Sequence, residues 1–174
     1  MKRYAVLFVM AMLVLIVPTS AQAKTLKLTY LEREVQGSDQ FVDADHSGAD
    51  APPTNGDYFT GRSNLYKVKS NNKLGKKVGS VSFKGTFTEV TETTYDIAFT
   101  AKVTLPGGHI YVEFTETGRL DDEGMSAAGD IDRYPIKRGD GRYKGYKGTV
   151  TITVIRPGRE GSPEISRDVF KLKK

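Results

Sequence analysis

Apolar and polar positions alternate along most of this chain. From Thr25 to Glu34, Leu26, Leu28 and Tyr30 share one face, and Lys27 and Thr29 share the other. A period of two predicts a half-buried strand. Glu32 and Glu34 keep the parity of Leu26, Leu28 and Tyr30. Either the strand stays regular and both carboxylates point toward the core, or it ends near Leu31 and both reach solvent. Buried carboxylates need partners. Asp57 to Lys69 predicts a second strand, with Ser63 and Leu65 on one face and Asn64, Tyr66 and Val68 on the other. Val78 to Val90 aligns Val81, Phe83, Gly85 and Phe87, and Tyr95, Ile97, Phe99, Ala101, Val103 and Leu105 form the cleanest run of all. His109 to Thr117 sets Ile110, Val112 and Phe114 inward. Ile131 to Lys137 is a short strand that Pro135 marks as an edge. A long alternation ends at Ile155, and Ile165 to Leu172 is the last strand.

Turns separate these runs. Ser70 to Lys73, Thr91 to Thr93, Pro106-Gly107-Gly108 and the glycine-rich stretch Gly139 to Gly148 are all rich in turn formers. Past residue 24 nothing reads as an amphipathic helix. About eight strands at short intervals predict an all-β antiparallel barrel or sandwich. Eight strands suit a small closed barrel that holds side chains or one small ligand. An outer-membrane barrel would need an outward apolar band between aromatic girdles, and that pattern is absent. Gln36 to Asn55 is a long loop, and Asp43, Asp45, His46 and Asp50 cluster in it. That cluster is either a metal loop or a solvated acidic loop. It lacks the Gly and closing Glu of a calcium loop, so no metal is assigned.

The N-terminus changes the compartment. Lys2 and Arg3 precede the apolar run Ala5 to Val17, and Ala21-Gln22-Ala23 fits a small-x-small cleavage site. Residues 1–23 are therefore expected to be a secretory signal peptide, with a single domain over 24–174, secreted to the periplasm or the exterior. The apolar run falls short of the roughly 20 residues that span a bilayer, so no membrane span is expected after cleavage. The chain has no cysteine, which excludes disulfides, a Cys nucleophile and Cys-ligated metal. Net charge is +5, and +3 without Lys2 and Arg3. That small, dispersed excess gives no basic stripe, and nucleic acid is not an expected partner. Gly139 and Gly141 precede a strand rather than a helix, so they form no dinucleotide turn.

A set of motifs, in order, carries a resemblance. They are Leu31-Glu32-Arg33-Glu34, Phe41-Val42-Asp43, Gly56-Asp57-Tyr58-Phe59, Leu65-Tyr66, Lys77-Val78-Gly79, Leu105 to Val112, and Gly139 to Gly145 with Gly148. Over Leu26 to Ile155 the chain resembles the allene oxide cyclase and dirigent barrel superfamily. The resemblance implies a calycin-like, eight-stranded antiparallel β-barrel, a homotrimer, and an apolar pocket open at one end. It implies a hydrophobic small molecule as partner and no cofactor. Such barrels hold a reactive substrate in one conformer. Carried over by position, Tyr30 and Glu32 fall where the cyclases keep a carboxylate and an amide, so a carboxylate is present but the pattern differs; Ser63 falls at a second pocket amide with Asn64 beside it, Asp39 near a loop proline, and Gly85 at a pocket cysteine. These departures argue against allene oxide cyclase activity itself. Arg138-Gly139-Asp140 falls in the family's paired-glycine turn and is read as structural.

Three functions stay open. In the first, a cofactor-independent cyclase or isomerase guides cyclisation or stereoselective coupling; Glu32 or Glu34 is the general acid, and Tyr30, Ser63, Asn64 and Tyr95 bind substrate. Against this, Glu32 would pair with an arginine such as Arg62 and do structural work only. In the second, the barrel binds a small ligand without catalysis. In the third, Phe83, Phe87, Phe99 and Phe114 fill the lumen and leave a structural domain.

Overall fold

The structure, a computed structural model, describes residues 24–46, 48, 52–120, 127–159 and 161–174. The expected signal peptide and Asp50 of the acidic loop lie outside the described residues. The strands are β1 (Thr25–Glu34), β2 (Gln40–Val42), β3 (Tyr58–Val68), β4 (Leu74–Val90), β5 (Thr94–Leu105), β6 (Gly108–Arg119), β7 (Ile131–Gly139), β8 (Lys147–Arg156) and β9 (Ile165–Lys173). Among the described residues there is no α-helix, only single 3-10 turns at Ser70–Asn72 and Gly141–Tyr143. No helix there is long and apolar enough to cross a membrane.

All pairings are antiparallel, and β1 pairs with both β9 and β3. That contact closes eight strands into a barrel, in the order β1, β3, β4, β5, β6, β7, β8, β9. Short β2 adds to β3 at Tyr58–Thr60, beyond the stretch of β3 that pairs with β1. It lies within the segment expected to be loop. β2 is held there by the loop behind it. Asp57, 1 % exposed, accepts from the backbone N–H of Ala44 and of Thr54, each at 2.7 Å.

One half of the lumen is packed solid. Leu65, Val103, Ile110, Ile136, Phe170 and Leu172 meet there, each nearly or wholly buried. Tyr143 and Tyr146 pack against the same cluster. They come from the glycine-rich turn, which ties to the β5–β6 hairpin through Arg142 N–H to Gly107 O at 2.7 Å. The Asp140 carboxylate accepts from His109 N–H at 2.8 Å and Tyr111 O–H at 2.9 Å, so the Arg-Gly-Asp tripeptide serves the turn. Burying each large apolar side chain contributes about 1.5–3 kcal/mol.

The wall is not hydrogen-bonded all the way up. β5 and β6 pair from Thr94–Arg119 to Leu105–Gly108. By contrast β6 and β7 pair only at Ile110–Gly139, Tyr111–Arg138 and Val112–Ile136. Above those residues the two strands part. Pro135, which has no N–H to donate, falls in the parted stretch. β7 is bonded to β8 along Ile131 to Ile136, and on its β6 side it is an open edge over the stretch that holds the proline.

Candidate binding cavity

The other half of the lumen is open. A cavity of about 450 Å³ lies among the ends of β1, β4, β6 and β8 and the starts of β3, β5, β7 and β9. Its lining follows strand parity. Tyr95, Ile97, Phe99 and Ala101 alternate along β5, and the other strands contribute in the same rhythm. The rings line the lumen instead of filling it. Phe83 stacks on Phe99 with centroids 5.6 Å apart, Phe99 meets Phe114 at 4.9 Å, and Phe114 stacks on Tyr134 at 3.9 Å. This belt crosses from β4 to β7, and its last contact bridges the place where β6 and β7 part.

Two glycines let the belt pack. A Cβ on Gly118 would overlap the Tyr95 ring, so the glycine is what admits that ring to the wall. A Cβ on Gly61 would overlap both Phe83 and the Asp39 carboxylate.

Carboxylates occupy much of the remaining wall. Glu32, Glu116, Asp132, Glu164 and Asp168 all line the cavity. Asp168 is 1 % exposed and shares a side-chain hydrogen bond with Glu32. Burial, then the nearby Glu32, pushes its pKa well above the usual carboxylate range. Its surroundings thus favour the neutral acid, and Ser166 Oγ donates to its Oδ1 at 3.1 Å. Removing water around a carboxyl disfavours its charged form, and a second carboxyl adds to that. Burial likewise raises Tyr134, with Glu116 and Asp132 adding to it, and keeps the phenol protonated.

β1 stays regular to its end, so Glu32 enters the cavity. Its partner is Asp168. Arg62 is exposed and has opposite parity to Ser63 on β3, so it cannot pair inside the lumen. Glu34 keeps Glu32's parity one step further out. Its Oε2 accepts from Glu164 N–H at 3.2 Å, and its carboxyl is bonded to that of Asp39. Asp39 is exposed as a residue, but its carboxyl turns inward over Gly61. Loss of water there, then the bond to Glu34, pushes its pKa up to about 6. Tyr95 lines the cavity. Tyr30 packs edge-on to Phe170 at 6.2 Å, in the closed half. Ser63 is buried opposite Glu34 and Val81, outside the cavity lining, and Asn64 has the opposite parity.

Sequence reasoning passed over Asp168, Glu116, Asp132 and Glu164. Three of them were within reach of the parity argument. Asp168 has the parity of Phe170 and Leu172, Glu116 that of Val112 and Phe114, and Asp132 that of Tyr134 and Ile136. In the acidic loop the structure gathers Asp43 and Asp45 with Asp57, one oxygen from each within 4.8 Å. Asp57 already accepts two backbone N–H groups there, so its carboxylate serves the loop.

No protein-family model matches the sequence, and no curated protein matches it significantly. Solved structures do match. A pterocarpan synthase dirigent protein, GePTS1, superposes with TM-score 0.58 at 14 % identity, covering 87 % of this chain and 91 % of its own. The chain has the fold of the dirigent- and allene oxide cyclase-like barrels. The Diels–Alderase AbmU of Streptomyces koyangensis matches with TM-score 0.57 at 17 % identity, over 89 % of this chain and 70 % of its own. A pyocyanin demethylase matches with TM-score 0.54 at 18 % identity, over 84 % of this chain and 99 % of its own. At these identities the likeness is one of architecture.

Proposed function

We propose that this barrel takes a hydrophobic small molecule into the open half of its lumen and guides its cyclisation or stereoselective coupling, without a cofactor. The observation that carries this reading is the aromatic-walled cavity of about 450 Å³ with the Glu32–Asp168 acid pair in its wall. That volume falls within the range of small-molecule pockets. Rings on the wall hold one conformer of a flexible substrate, which lowers the entropy cost of ring closure. Asp168, favoured as the neutral acid, donates its proton to a developing oxyanion or leaving oxygen and is left as a carboxylate beside Glu32, to be reprotonated by the proton that the substrate gives up or by water when product leaves. Tyr95 shapes the mouth. Ring-forming and coupling-guiding proteins, a Diels–Alderase and a dirigent protein, share the fold. The export signal read in residues 1–23 supports action outside the cytoplasm, and the superfamily resemblance supports a homotrimer.

The test is mass-conserving turnover. Extracts of the producing organism's medium are incubated with the purified protein and followed by mass spectrometry and chiral chromatography. The wild type is expected to convert one component to an isomer of equal mass, or to bias the handedness of a coupled product. Asp168→Asn is expected to lose that effect while keeping its fold. Binding of a component with no conversion by the wild type would leave a carrier in place of a catalyst.

A further inference from the structure

We propose that the ligand of this cavity is a cation, a quaternary or protonated amine borne on an apolar body. This rests on the reading above that the cavity takes a small molecule, and it adds the ligand's charge.

The chain as a whole is basic, with 26 Lys and Arg against 21 Asp and Glu. The cavity reverses that balance. Five carboxylates line it, and no Lys, Arg or His does among the described residues. They come from separate segments: Glu32 from β1, Glu116 from β6, Asp132 from β7, Asp168 from β9, and Glu164 just before β9. The portions of β3, β4, β5 and β8 that line the cavity contribute no charged side chain. Composition alone does not sort charges in this way.

The two chemistries face each other. Around the barrel, β9 and β1 stand opposite β5 and β6. Asp168 and Glu32 therefore look across the lumen at Phe99 and Phe114. The face of an aromatic ring carries negative potential, and it attracts a cation more strongly once water is removed. A positive centre between the walls would meet ring faces on one side and carboxyl oxygens on the other, in surroundings where opposite charges attract strongly. Glu116 and Asp132 are exposed where β6 and β7 part. They put negative charge at the entrance and would steer a cation inward. A carboxylate-bearing substrate would meet repulsion at that entrance. This sets the cavity apart from one suited to a fatty acid.

The probe pair is benzyltrimethylammonium and its uncharged carbon isostere, neopentylbenzene. Both are titrated into the purified protein by calorimetry and by ligand-observed NMR at neutral pH and low salt. The cation is expected to bind at least about tenfold more tightly. Glu116→Gln with Asp132→Asn, checked for an unchanged melting temperature, is expected to shrink that preference. Phenylpropionate is expected not to bind. Equal or tighter binding of neopentylbenzene would overturn the cation inference and leave the cavity reading intact. No binding of any of the three would overturn both. Should the double variant melt early, the two probes compared on the wild type still decide the question.

Discussion

At the scale of single residues, two buried carboxyls respond to pH in opposite directions. Asp168 has a raised folded pKa, so between the ordinary value and the raised one the folded state binds more protons than the unfolded state. Stability then falls as pH climbs through that window. Asp57 has a lowered pKa, held down by the backbone N–H groups of Thr54 and Ala44. Its contribution is present above the ordinary 3.8 and is lost as pH falls through the lower folded value. Thermal melts across pH separate the two. Asp168→Asn is expected to flatten the loss on the alkaline side, and Asp57→Asn to remove stability at neutral pH and flatten the loss in acid. If Asp168→Asn leaves the alkaline limb unchanged, the acid is not held neutral. Neither carboxyl's role is legible from the sequence. The Asp57 partner Ala44 lies 13 residues away, and the Glu32–Asp168 pair joins the first strand to the last.

At the scale of strands, much was legible. The alternation in β1, β5 and β6 places their inward residues correctly, and it answers the question about Glu32, because β1 runs regularly to Glu34. Parity also separates Ser63 from Asn64. The parting of β6 and β7 was not legible, since it depends on which residues pair across strands and not on the pattern within either. Nor does parity tell an inward residue in the packed half from one beside the cavity, so it could not correct the placing of Tyr30 and Ser63 at the site, which came from the family resemblance. Depth along the barrel decides that, and it follows from how the strands are staggered. Gly118 offers a test at this scale. A side chain there must displace Tyr95, so Gly118→Ala is expected to cost about 1–3 kcal/mol by overpacking. Denaturant midpoints measure it, and a neutral result would mean that the ring is free to swing. In the closed half, Leu65→Ala is expected to cost about 2–5 kcal/mol, because no neighbour can collapse into the space.

At the scale of the molecule, the barrel divides its work along its axis. One half is an aliphatic plug sealed by Tyr143 and Tyr146, and it carries the stability. The other half spends its inward positions on rings, glycines and carboxyls, and leaves space. A structural barrel filled with phenylalanine was an open reading of the sequence, which holds eight Phe. Whether rings fill a lumen or line it depends on strand stagger and on glycines such as Gly61 and Gly118, and composition does not reveal it. The function of the barrel turns on this space admitting a small molecule. A crystal structure of the purified protein soaked with naphthalene tests it most directly. The probe is expected between Phe83, Phe99 and Phe114 with the Glu32–Asp168 pair at its side, and no probe in Ile97→Trp. A lumen closed by its own side chains, with no naphthalene inside, would contradict it.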